Sequence, residues 1–178
     1  MNKNIVIVLF SLMLVCTQFG NDGLFASAEK EYEIVIKDSN LIVEEYISGL
    51  QLPVMIDFIG NDMLILEKTE GTVRIVKDGI LVPEPLIKID VSQTAEEGLI
   101  GILVKDSHIF LHHTTKSPDN GTTSNLFTRY LFDGQKLVEP KEMLSFHNNE
   151  SLQHNAGVMF TDENGVVFGA IGDTCFCD

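Results

Sequence analysis

The chain has 178 residues, 44% of them hydrophobic, enough for a folded domain with a real core and too apolar for a disordered one. A formal charge of −14, with no cluster of Lys and Arg, excludes nucleic acid, because a phosphate binder must displace counterions with grouped cations. Such acidity reads as a solvated surface.

In chain order, the first segment differs from all that follows. Lys3 precedes the apolar runs Ile5 to Phe10 and Leu12 to Val15, a stretch too short to span a bilayer comfortably and suited to the core of a signal peptide. Ala26-Ser27-Ala28 then supplies the small-x-small pattern that signal peptidase reads, so residues 1–28 are expected to be a signal peptide and the mature protein secreted or periplasmic. Two alternatives place it at a membrane: an uncleaved anchor, or lipidation at Cys16, where the bulky Val15 departs from the usual small residue.

Residues 29–48 read as strands leading into the main domain, Tyr32 to Ile36 and Leu41 to Ile47, separated by Asp38-Ser39-Asn40. From residue 49 onward, period-two alternation and turn residues describe a meander. Val54 to Ile59 turns at Gly60-Asn61-Asp62 into Met63 to Glu67, and Thr72 to Val76 follows and stops at Lys77-Asp78-Gly79. A second set runs Gly98 to Val104, His108 to Thr115 and Asn125 to Phe132, and a third opens at Ala156 to Thr161 and Val166 to Ile171. The stretch Asp78-Gly79-Ile80-Leu81-Val82-Pro83-Glu84-Pro85 recurs in form as Asp133-Gly134-Gln135-Lys136-Leu137-Val138-Glu139-Pro140.

Four short strands per unit, repeated roughly every 55 residues, predict an all-β fold, a β-propeller of four-stranded antiparallel blades. A closed ring needs about 4 to 8 blades and residues 49–178 supply about two and a half, so the chain is expected to be the N-terminal part of a longer propeller. Cys175 and Cys177 sit at its end with a spacing awkward for a local disulfide; partners elsewhere, a strained bridge and half of a metal site all stay open. Asn120-Gly121-Thr122 and Asn149-Glu150-Ser151 are sequons in polar, turn-rich stretches.

Five pieces appear in order: Pro53 to Phe58, Asp62 to Arg74, Glu96-Glu97-Gly98-Leu99-Ile100-Gly101, His154-Asn155-Ala156-Gly157, and Gly169-Ala170-Ile171-Gly172-Asp173. Together, over residues 47 to 173, they resemble the glucose/sorbosone dehydrogenase family, the soluble pyrroloquinoline quinone (PQQ) dependent aldose dehydrogenases. The resemblance implies oxidation of a sugar's anomeric hydroxyl with PQQ as hydride acceptor and calcium as a further cofactor. It makes His154 the general base, Asp173 the carboxylate that orients it, and Glu96 a side chain facing the sugar or the cofactor. An imidazole suits that task, since it titrates near neutral pH and needs no metal to accept a proton.

The pattern departs from the family mildly at Ala156-Gly157-Val158 and, at the cofactor loop, in Thr174 to Cys177 after the Ile-Gly-Asp. The cations that grip PQQ and the calcium ligands are expected in later blades, so the chain alone is expected to be inactive and no metal ligand is assigned within it. A second reading from another class is a non-catalytic propeller used as a binding module, like the hedgehog-interacting relatives that share the fold. His108, His112 and His113 lie on or beside one strand, where neighbours point to opposite faces, so they read as structural rather than as a ligand pair. The expected partner is a small sugar, with membrane contact only through an uncleaved signal or lipid.

Cleavage after Ala28 predicts that N-terminal sequencing of exported protein begins at Glu29; a start at Met1 or Cys16 would contradict it.

Overall fold

The computed structural model describes residues 4–8, 35–117, 122–147 and 154–172. The expected cleavage site, all three cysteines, Asn120, Asn149 and Asp173 lie outside the described residues.

Two short strands, β1 (Asn4–Val8) and β2 (Leu41–Glu45), pair in parallel, so the start of the apolar run read as a signal core lies beside the start of the second lead-in strand. Val35 and Ile36, expected within a strand, are exposed and outside any strand.

The first large sheet is the expected meander. Strands β3 (Pro53–Ile59), β4 (Asp62–Glu67) and β5 (Thr72–Lys77) run antiparallel in sequence order. The turn from β5 uses Asp78 and Gly79, both with positive φ (50° and 76°), the geometry that lets a two-residue hairpin follow the strands' twist. The fourth position is split into β6 (Ile80–Leu81) and β7 (Ile87–Lys88), both on β5. Pro83 and Pro85 stand between them, and a residue with no N–H cannot continue a ladder.

The second sheet is complete: β8 (Leu99–Lys105), β9 (His108–Lys116), β10 (Thr123–Phe132) and β11 (Leu137–His147), antiparallel in sequence order. A third begins with the hairpin β12 (Met159–Thr161) and β13 (Val167–Gly169), which is shorter than the alternation suggested.

The first two sheets are joined face to face by one apolar layer. Leu64, Leu66, Val73 and Ile75 from the first meet Leu99, Ile102, Ile109, Leu111 and Tyr130 from the second, and almost all are sealed from solvent. Period-two alternation then gives the second sheet another apolar face, where Leu103 and Phe127 pack with Met159 of the third. Hydrogen bonds from the β8 backbone tie the layers. Leu99 N–H donates to Lys68 O at 2.9 Å, and Val104 N–H donates to the Asp57 carboxylate at 2.6 Å.

Leu64 is fully buried in the inter-sheet layer, so Leu64→Ala should lower unfolding free energy by about 2–5 kcal/mol, the range for an unfilled core cavity. Chemical denaturation measures it, and a loss below about 1 kcal/mol would show that the two sheets do not share this layer.

Candidate functional site

The loop 154–157 and the turn 92–98 meet at one rim of the second sheet. The end of β9 builds the turn: Ser92 N–H donates to Thr114 O at 2.9 Å, Thr114 N–H to Gly98 O at 2.9 Å, and Gly98 N–H to Thr114 Oγ1 at 2.6 Å. Glu97 points inward, fully buried, and accepts a short hydrogen bond from Ser92 Oγ. Glu96 points outward. Gly98 has φ +141°, and a Cβ there would strike Lys68, so the residue before β8 must be glycine.

The loop 154–157 docks on the same strand through another close approach. A Cβ on Gly101 would run into the Gly157 carbonyl oxygen, leaving room for the loop only because two glycines face each other. His154 and Ala156 both adopt φ +57°, and Ala95 in the facing turn adopts φ +50°. Non-glycine residues enter this left-handed region at a cost and persist there when their surroundings hold them.

The structure brings two of the three proposed site residues into contact. The backbone N–H of His154 donates to Glu96 Oε2 at 2.5 Å, while both side chains stay on the exposed side of the rim. Glu96 was expected to face sugar or cofactor; its described contact is with the backbone of the loop that carries His154. Asp173 lies outside the described residues, but the residue bonded to it, Gly172, packs so closely on His154 that a side chain there would meet the His154 carbonyl.

Beneath the rim, sequence reasoning missed a buried polar line. His112 is fully buried, stacks on Phe127 with ring centroids 4.3 Å apart, and its Nε2 lies 2.9 Å from Asn125 Oδ1. Asn125 Nδ2 donates in turn to Asn155 Oδ1 at 3.0 Å, and both asparagines are fully buried. His113 takes the opposite face, as alternation requires, with Nε2 3.3 Å from Thr128 Oγ1. The two imidazoles lie on opposite faces of β9 with separate hydrogen-bond partners, and the deep burial of two adjacent histidines was not legible from their spacing.

Burial pushes the pKa of His112 down to about 4, against a smaller opposing effect of its bond to Asn125. His113 is lowered to about 4 by burial first and by the neighbouring His112 second. Among the described residues, no three His, Cys, Asp or Glu side chains cluster to hold a metal ion. An apolar cleft of about 340 Å³ opens between the second sheet and the third hairpin, lined by residues that include Phe110, Phe127, Phe146 and Met159.

The Glucose / Sorbosone dehydrogenase family model matches residues 50–176. Among solved structures, the PQQ-bound form of Aldose Sugar Dehydrogenase from Streptomyces coelicolor is similar, at 23% identity and a TM-score of 0.58. That likeness covers 71% of this chain and shows the fold, part of a β-propeller. The chain spans 39% of the length of the Streptomyces structure. No curated protein matches.

Both buried histidines accept protons more readily once unfolded, near pH 6.5, than when folded, near pH 4. Their contribution to stability is therefore complete above about pH 6.5 and is lost as pH falls toward 4, by roughly 1.4 kcal/mol per unit for each. Thermal unfolding at stepped pH should show this fall, and His113→Leu should make it shallower; an identical slope in that variant would contradict the assignment.

Proposed function

The chain belongs to the glucose/sorbosone dehydrogenase family, and from that premise we propose that it carries the general base of a PQQ-dependent aldose dehydrogenase. The observation that supports this most is the rim geometry: an exposed His154 on a loop docked through Gly157 on Gly101 and held at its N–H by Glu96. An imidazole so placed can reach an external hydroxyl, whereas His112 and His113 cannot.

In this reading the anomeric hydroxyl of an aldose approaches the rim and His154 accepts its proton as the carbon loses hydride. PQQ, held by groups outside the described residues, would supply the hydride acceptor. Asp173, next to a residue packed on His154, is proposed to orient the imidazole and favour its protonated form. Glu96 is proposed to fix the loop by its bond to the His154 N–H, a task compatible with a second contact to the sugar.

The described residues fit the proton-accepting side of the reaction. They do not fit the grip of a polycarboxylate quinone, which calls for several cations converging on one pocket. Lys68, a cation joined to this rim among the described residues, has its amine on the Ala95 carbonyl at 2.6 Å. The groups that hold PQQ and calcium are therefore proposed to lie on further blades, and the activity to belong to the propeller that contains them. Export and a periplasmic or extracellular site of action belong to the same proposal.

In the complete protein, with PQQ and calcium supplied, His154→Ala should lower turnover of aldose oxidation by about 10² or more while quinone binding changes little. Wild-type turnover in His154→Ala would remove the base and leave the non-catalytic binding module as the better reading.

A further inference from the structure

Between the second sheet and the rim, the structure carries a line of polar side chains that proton acceptance at His154 does not itself use. It runs from His112 on β9 through Asn125 on β10 to Asn155, the residue after His154. All three are fully buried, where an unpaired polar group costs about 1–3 kcal/mol. Buried polar groups in a row, each bonded to the next, restrict one another's orientation far more than apolar packing does.

The direction of the line follows from its chemistry. Asn125 gives an N–H to Asn155 Oδ1, so its own Oδ1 faces His112 Nε2 and must accept. His112 is then the neutral tautomer with the proton on Nε2 and the lone pair on Nδ1, a buried atom with no hydrogen-bond partner among the described residues. The stack on Phe127, directly opposite His112 in the strand register, fixes the ring plane that aims Nε2 at Asn125.

We propose that His112, Asn125 and Asn155 form a positioning chain that locks the loop carrying His154 to the second blade. This rests on the reading of His154 as the base. The loop is held at two successive residues from opposite sides: Glu96 takes the His154 N–H at the surface, and Asn125 takes the Asn155 side chain from below. His154 and Ala156, on either side of Asn155, both sit in the left-handed region, a conformation that such outside constraints maintain. Loosening the inner hold shifts the base relative to the bound sugar, and a misplacement of about 1 Å is enough to cost up to about 10² in rate.

The test uses the complete protein with PQQ and calcium supplied. His112→Phe keeps the aromatic stack but removes the donor, and Asn125→Leu removes both links. Each should lower kcat by about tenfold with KM within about twofold, normalised to folded protein, and His112→Gln, which retains an N–H donor, should recover part of the loss. Imidazole 15N NMR of the unsubstituted protein should show His112 protonated on Nε2, a readout that needs no variant to fold. Normal kcat in His112→Phe and Asn125→Leu, alongside a large loss in His154→Ala, would overturn the positioning chain and leave the base in place. Normal kcat in His154→Ala would overturn the base reading, and a His112 proton on Nδ1 would overturn the chain's direction and with it the proposal.

Discussion

Everything in this structure depends on the apolar layer between the first two sheets. Leu64, Leu66, Val73 and Ile75 on one side and Leu99, Ile109 and Leu111 on the other are shielded almost completely, which neither sheet achieves alone. At about 25 cal/mol per Å² of buried apolar surface, such a layer outweighs the individual hydrogen bonds around it. It also fixes orientation. Once Ile109 and Leu111 face the first sheet, Phe110 and His112 must face the third, so the core on one side dictates which side chains reach the loop above the other.

The rim follows from that constraint. β8 starts where Leu99 donates to Lys68 of the first sheet, and Gly101 two residues on leaves the space into which Gly157 settles. The loop with His154 is thus positioned by glycines that allow close approach, by an outer carboxylate and by an inner amide. This division suits a family in which the cofactor carries the redox chemistry and the protein supplies orientation and a proton acceptor. A propeller blade is well suited to the second task, because its strands hold register rigidly while the connecting loops at the rim remain free to differ.

Most of the blade architecture was legible in the sequence because strand alternation and turn chemistry are local. Asp78-Gly79 reads as a hairpin turn from two residues, and the structure gives both the positive φ that the turn requires. Glu96, His154 and Asp173 were accessible only through the resemblance of their flanking motifs; the bond from His154 N–H to Glu96 joins residues 58 apart and has no local signature. The chain through His112, Asn125 and Asn155 was hidden for a related reason. His112 and Asn125 meet only because the β9–β10 register sets Phe127 opposite His112, and Asn155 lies 30 residues beyond Asn125. A polar residue alternating inward on two paired strands was the one available signal. The split of the fourth strand into β6 and β7 was present in Pro83 and Pro85, residues that the repeat pattern had absorbed as part of its grammar.

The central claim is that the rim of the second blade presents His154 as the base toward an anomeric hydroxyl. A crystal structure of the complete protein with PQQ and a bound aldose analogue tests it most directly. The account predicts a His154 imidazole nitrogen within about 2.6–3.2 Å of the anomeric oxygen, with Glu96 still on the His154 N–H. A sugar whose anomeric oxygen is held by a different side chain, with His154 turned to solvent, would contradict it.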